Sequence, residues 1–237
     1  MSETGTLPPG VTFTDNGDGT AALSGTPAAG SGGPYLLTIT ATNVVGSDTQ
    51  SFVLVVLQAP QITSPAGATF TVDHAGTFTV RSTGSPASAL SETGTLPKGV
   101  TFTDNGDGTA ALSGTPAAGG TYKFTITATN GVSPDATQSF TLSVVGPPAA
   151  PSGLKATGKG RTVTLTWTNH AKPPSAATVI EIQRSTNAKF TTAVTNTTVG
   201  PTVTSHKNTV VAGKRYYYRV RAYNAAGFSL WSNVASG

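Results

Sequence analysis

The chain has 237 residues, with 28 glycines, 16 prolines and no cysteine. Charged residues make up 10% and aromatic residues 7%, and Thr and Val are abundant, a balance that points to all-β structure in two or three domains. The lack of cysteine excludes disulfides, thiol redox chemistry and thiolate-held metals, and no apolar run approaches the roughly 18 residues of a membrane span.

The net charge of +4 hides an asymmetry. Residues 1–58 sum to −4, residues 59–146 to −2, and residues 147–237 to +10, with Glu181 as the last segment's one acid. Modules with different surface roles are expected from such a division.

Residues 2–30 recur as residues 91–119 with a single difference, Pro9 against Lys98. The 89-residue spacing is that of one small sandwich domain, not of a solenoid unit. Inside the repeat, Val100 and Phe102 alternate with Thr101 and Thr103, the period of a strand with one apolar face. Asn105-Gly106 and Asp107-Gly108 follow as turn dipeptides, and Leu112 marks the returning strand. The turn also has part of the spacing of a calcium loop. If Asp107-Gly108 takes the fifth and sixth positions, however, the first falls on Thr103, and no glutamate closes the loop. A plain hairpin turn is the preferred reading.

The first repeat, residues 1–58, continues with Tyr35, Leu37, Ile39 and Ala41 on one strand and Phe52, Leu54 and Val56 on another. Residues 59–90 have no counterpart ahead of Ser2, so this sandwich is expected to be truncated, lacking its opening strands. Its open edge and uncovered apolar face would suit a complementing β-strand from another chain. The segment around Met1 has neither the basic start nor the apolar centre of a signal peptide.

In residues 59–146, Ala59-Pro60 marks a linker, and Phe70, Val72, Phe78 and Val80 supply the two opening strands. Tyr122, Phe124, Ile126 and Ala128 repeat the Tyr35 strand, and Phe140, Leu142 and Val144 close the unit. The run TLPKGVTFTDNGDGTAALSGTP, followed by TYKFTITATN and QSFTLSVV, resembles the bacterial putative-Ig repeats. The resemblance implies cadherin-like sandwiches strung along large surface proteins, hence a secreted or cell-surface setting.

A proline-stiffened linker at residues 146–151 leads into residues 147–237, which resemble a fibronectin type III domain. Val163, Leu165 and Trp167 alternate, and Trp167 matches that family's core tryptophan. Gly213-Lys-Arg-Tyr216 looks like the family's tyrosine corner, which implies a Tyr216 hydroxyl bonded back to backbone. Val210 and Ala212 stand where the family has leucine and proline. Asn224 to Gly227, with Ser229 and Ser232, resembles the closing signature. The fold class is therefore all-β: tandem Ig-like and fibronectin-type β-sandwiches, the first truncated.

Catalysis finds no support in the residues. His74, His170 and His206 are scattered, and none lies in a motif with serine and aspartate. Paired carboxylates for glycoside hydrolysis, paired histidines for a metal and a phosphate loop are also missing, so no cofactor is expected.

One surface has character. With Tyr216, Tyr218 and Val220 in the core beside Trp167, the residues Tyr217, Arg219, Arg221 and Tyr223 point outward along one strand, near Glu181 and Gln183. They could stack on sugar rings or bind an anionic polysaccharide or cell-wall polymer. A self-supporting ladder of cross-strand pairs is the preferred reading. The functional expectation is a non-catalytic spacer or adhesion module. Attachment to an anionic polymer and strand-exchanging assembly are the alternatives; nucleic acid is not an expected partner.

Overall fold

The computed structural model describes residues 1–237 and consists of strands, turns and connecting segments with no helix. The first module holds β1 (Ser2–Gly5), β2 (Val11–Asp15), β3 (Ala21–Gly25), β4 (Gly33–Thr42) and β5 (Ser47–Val56). They form a three-stranded sheet, β1-β4-β5, and a separate β2-β3 hairpin. Its core is thin: Leu37 and Pro8 are its buried apolar side chains, and Val11, Phe13, Leu23, Phe52, Leu54 and Val56 are half-buried.

The second module adds what the first lacks. Its strands are β6 (Gln58–Ile62), β7 (Gly67–Thr71), β8 (Gly76–Ser85), β9 (Ala89–Gly94), β10 (Val100–Asp104), β11 (Thr109–Gly114), β12 (Gly120–Thr129) and β13 (Ala136–Val145). One sheet runs β10-β11-β8-β6 and the other β7-β13-β12-β9. β8 lies antiparallel to β11, and β7 runs parallel to β13. The two faces close on twelve buried residues, among them Val80, Leu112, Ile126, Phe140 and Leu142. Phe78 and Phe124 flank Phe140, with ring centres 5.3 and 5.1 Å away.

The hairpin turn forms as the dipeptides predict. Gly108 has φ +83°, a conformation open to glycine and costly for β-branched residues. The Asp107 carboxylate accepts the Thr109 amide at 2.9 Å and its hydroxyl at 2.6 Å, so it is consumed in shaping the turn. Ala59-Pro60, read from sequence as linker, falls within β6 instead. Proline is accommodated because the β6–β8 register shifts between Gln58 and Gln61, where no ladder donor is required.

The third module holds β14 (Ser152–Lys159), β15 (Thr162–Thr168), β16 (Val179–Ser185), β17 (Thr195–Val199), β18 (Ser205–Thr209), β19 (Tyr217–Asn224), β20 (Gly227–Phe228) and β21 (Ala235–Ser236). The β14-β15-β18 sheet packs against β17-β16-β19-β20. Trp167, Tyr216, Tyr218 and Val220 all lie in its eleven-residue core. The expected hydroxyl bond of the tyrosine corner is not made. Tyr216 is buried, but its ring sits under the Arg184 guanidinium, 5.0 Å away. Arg184 Nη1 in turn donates to the Thr209 carbonyl at 3.2 Å and to Asn208 Oδ1 at 2.8 Å, which holds the guanidinium over this ring.

The two junctions share one plan. At the first, Asn130 Nδ2 donates to the Gln58 carbonyl at 2.8 Å and to the Pro86 carbonyl at 2.8 Å. Across it, the Gly32 amide donates to Gln58 Oε1 at 3.1 Å. At the second, Asn224 Nδ2 donates to the Gly146 carbonyl at 3.0 Å and to the Ala176 carbonyl at 3.2 Å, while the Gly146 amide donates to Ser175 Oγ at 2.9 Å. Each asparagine follows or ends the same strand of its module, and its Oδ1 caps the next turn. Gly32 has no room for a side chain, since a Cβ there would stand 2.6 Å from Gln58 Cβ. Gly119, its equivalent, approaches Ser175 at the second junction.

Candidate functional site

The outward face of β19 is where side-chain chemistry concentrates. Alternation sends Tyr218, Val220 and Ala222 into the core and leaves Tyr217, Arg219, Arg221 and Tyr223 half-buried outside. Antiparallel pairing with β16 sets Glu181 opposite Arg221 and Gln183 opposite Arg219. Arg221 Nε donates to Glu181 Oε2 at 2.6 Å, and Arg219 Nε donates to Gln183 Oε1 at 2.7 Å. Gln183 Nε2 in turn donates to Asn196 Oδ1 at 3.1 Å.

A third element covers this row. The Ser229 hydroxyl accepts the Ala222 amide at 2.9 Å, and the Ser229 amide donates to the Ala222 carbonyl at 2.8 Å. Ser232 repeats the arrangement on Val220, at 3.0 and 2.8 Å. These paired clamps hold residues 229–232 along β19 where the ladder is no longer regular. Trp231 is thereby laid across the arginines. Its ring centre is 4.2 Å from the Arg219 guanidinium and 4.3 Å from that of Arg221. Phe190 covers the far side of Arg219 at 4.2 Å, and Phe228 covers Arg221 at 3.8 Å. Tyr223 meets Phe228 at 5.0 Å and ends the stack. Burial, and then the Arg221 charge beside it, pull the Arg219 pKa below the ordinary guanidinium value.

The four residues singled out by sequence therefore part company. Arg219 and Arg221 form the stack, Tyr223 caps it, and Tyr217 stands apart opposite Ser185 and Ser236. Sequence reasoning missed Trp231, Phe190 and Phe228. The available signal was the Ser229 and Ser232 pair bracketing Trp231. The flat guanidinium faces that would stack on a sugar are covered by the protein's own rings, as in a self-supporting ladder. The terminal nitrogens of both arginines make no hydrogen bond within the protein.

A serine–histidine contact also lay outside the sequence reading: Ser152 Oγ and His170 Nε2 are 2.7 Å apart. No carboxylate orients this imidazole, because Glu181 is the module's one acid and is committed to Arg221. The pair lacks the third member that would make serine a nucleophile.

Residues 53–145 match the family model described as Putative Ig domain. No curated protein matches the chain at a significant level. Domains A168–A170 of titin align with 96% of this chain and 81% of their own, at 17% identity and a TM-score of 0.56, a likeness that shows the fold. The I-band fragment I67–I69 of titin aligns with 99% of this chain and 86% of its own, at 20% identity and a TM-score of 0.43. An Fn3-like protein from Clostridium thermocellum is 35% identical over 38% of this chain and 90% of its own, with a TM-score of 0.31. Domains of this architecture are generally structural or adhesive, typically non-catalytic and commonly extracellular. The chain is thus a tandem of β-sandwiches with the fold of the titin domains, in which residues 53–145 match the Putative Ig domain model.

Proposed function

We propose that the chain is a stiff, non-catalytic spacer within a larger secreted or cell-surface protein, holding functional elements at a set separation and angle. The twin junctions carry this reading. At each, an asparagine of the following module grips a backbone carbonyl at the entry to that module, and a glycine of the preceding module lets the two bodies approach closely. A flexible string would need neither device, because a Gly/Ser linker alone leaves orientation free.

The chain has no cysteine, so paired spin labels can be placed at will. Labels at exposed Thr49 and Lys98 span the first junction, and labels at Lys98 and Lys155 span the second. Narrow distance distributions are expected, broadening at the first junction in Asn130→Ala and at the second in Asn224→Ala. Broad distributions in the unaltered chain would defeat the spacer reading.

A second reading gives the third module an anionic polysaccharide or wall polymer as ligand. Its +10 charge and the unengaged terminal nitrogens of Arg219 and Arg221 support it. Binding through these groups would weaken steeply with salt and fall in Arg219→Gln with Arg221→Gln. Retention on a heparin column unchanged by both substitutions would argue against it.

A further inference from the structure

The chain contains three Asn-Gly pairs, Asn16-Gly17, Asn105-Gly106 and Asn130-Gly131. At all three the glycine has nearly the same backbone, with φ of +79°, +76° and +78°, and a Cβ would meet nothing within 4 Å. With no side chain in the way, the glycine nitrogen is open to the side chain of the asparagine before it. The backbone does not distinguish the three pairs; the asparagine side chains do.

Asn130 is half-buried and held at both polar atoms. Its Nδ2 donates to the Gln58 carbonyl and to the Pro86 carbonyl, each at 2.8 Å, and its Oδ1 accepts the Val132 amide at 3.1 Å. Asn16 and Asn105 are exposed. Asn105 Nδ2 makes one bond, to Thr109 Oγ1 at 2.9 Å, and Asn16 Nδ2 makes one, to Thr20 Oγ1 at 2.8 Å. Turning the side chain onto the next nitrogen therefore breaks three hydrogen bonds at Asn130 and one at each of the others.

The glycine nitrogens differ as well. The Gly106 amide donates to Asp104 Oδ1 at 3.2 Å, and the Gly17 amide donates to Asp15 Oδ1 at 3.1 Å. Each carboxylate is placed to receive the proton that must leave this nitrogen before it can attack, which is the position of a general base. No carboxylate accepts the Gly131 amide, and the acceptor nearest it in the turn, Asn130 Oδ1, is taken by Val132.

We propose that Asn105 and Asn16 are self-modifying sites that convert to aspartate and isoaspartate, while Asn130 is kept intact by its junction bonds. The Gly106 nitrogen bonds to Asn105 Cγ and passes its proton to Asp104. The Cγ–Nδ2 bond breaks, and the departing nitrogen takes that proton and leaves as ammonia. Water then opens the cyclic imide: cleavage at Cγ gives aspartate, and cleavage at the former backbone carbonyl gives isoaspartate. Asp15 and Gly17 play the same parts for Asn16. The product sets a new carboxylate between Asp104 and Asp107 and removes the amide donor to Thr109, so the turn is loosened by like charges and a lost bond. Ageing thus falls on the hairpin turns and spares the junction. This inference does not depend on the spacer reading.

Incubation of the full chain at mildly alkaline pH, followed by tryptic mapping against an unincubated control, tests it. Asn16, Asn105 and Asn130 fall in separate peptides, residues 1–81, 99–123 and 124–155. Isoaspartate and aspartate are expected at Asn105 and Asn16 at least about tenfold faster than at Asn130. In urea the three rates should converge, because the protection of Asn130 belongs to the fold. Asp104→Ser should slow conversion at Asn105 and leave Asn16 unchanged. Asn130 converting as fast as Asn105 in the folded chain overturns the proposal, as does a folded chain in which all three persist while the unfolded chain reacts. Aspartate without isoaspartate would rule out the imide, and an unchanged rate in Asp104→Ser would rule out the carboxylate as base.

Discussion

Leu23 and Leu112 occupy the same place in the same local sequence, so truncating each to alanine separates local propensity from coverage. Leu112 is fully buried, paired in register with Phe102 on one side and with Phe78 of β8 on the other. Leu23 faces Phe13 alone and is half-buried, because no strand stands where β8 would. At about 0.8 kcal/mol per buried methylene, Leu112→Ala forfeits about 2.4 kcal/mol of transfer free energy. The enclosed cavity raises the loss to about 3–4 kcal/mol. Leu23→Ala loses about half of the transfer contribution and leaves no closed cavity, so about 1 kcal/mol is expected. Amide exchange by mass spectrometry reads the two modules separately if peptides from β4–β5 and β12–β13 are followed, since these differ where the hairpin peptides do not. Equal losses at the two positions would refute the view that β7 and β8 confer the second module's stability.

Three further outcomes are expected. Trp231→Ala strips one aromatic face from each of Arg219 and Arg221, and at ~0.5–1 kcal/mol per contact the third module should lose about 1–2 kcal/mol in urea unfolding followed by Trp167 fluorescence. The Thr109 hydroxyl and amide hold the Asp107 carboxyl below its ordinary value, as Thr20 does for Asp18. A depressed folded-state pKa stabilises above the unfolded value, and that stabilisation is lost as pH falls through the folded one. Carboxyl-carbon NMR should accordingly show Asp107 titrating late in acid, and Thr109→Val should move it back toward the ordinary range. Burial pushes the Tyr218 hydroxyl up to about 12. A raised pKa confers stability that is complete below the ordinary tyrosine value of 10.0 and lost as pH rises through the folded value. Alkaline unfolding of the third module should coincide with Tyr218 ionisation, and Tyr218→Phe should delay it.

Strand positions were legible because a half-buried strand prints its pleat into the chain. Val163, Leu165 and Trp167 alternate in sequence and lie together in the third core. Three features were not legible, each for a physical reason. β6 escaped notice because Pro60 argues against a strand, and only the register shift along β8 reconciles the two. The arginine stack was half-visible. Arg219 and Arg221 declare themselves by alternation, but Phe190 and Trp231 arrive from segments whose course is fixed by turns and serine clamps. The junction role of Asn130 and Asn224 was not legible, although Asn224 sits in the closing signature, since a side chain that bonds a carbonyl 72 residues away has no local signature for that bond.

The two Ig-like copies diverge in an informative place. Residues 2–30 and 91–119 are nearly the same, so hairpin and turn are held constant between them. The differences fall on β4–β5 against β12–β13, and there the inner positions stay apolar in both copies: Leu37 with Phe124, Phe52 with Phe140, Leu54 with Leu142. The outer positions change character instead, from Lys123, Thr141 and Ser143 to Leu36, Val53 and Val55. Inner substitutions that preserve volume leave the fold alone, whereas outer ones alter what the module can touch. A spacer needs a wet outer face, and the second module has one. The bare aliphatic face of the first, with Leu36, Val53 and Val55 exposed, is a cost in solubility that the second module avoids with Lys123, Thr141 and Ser143.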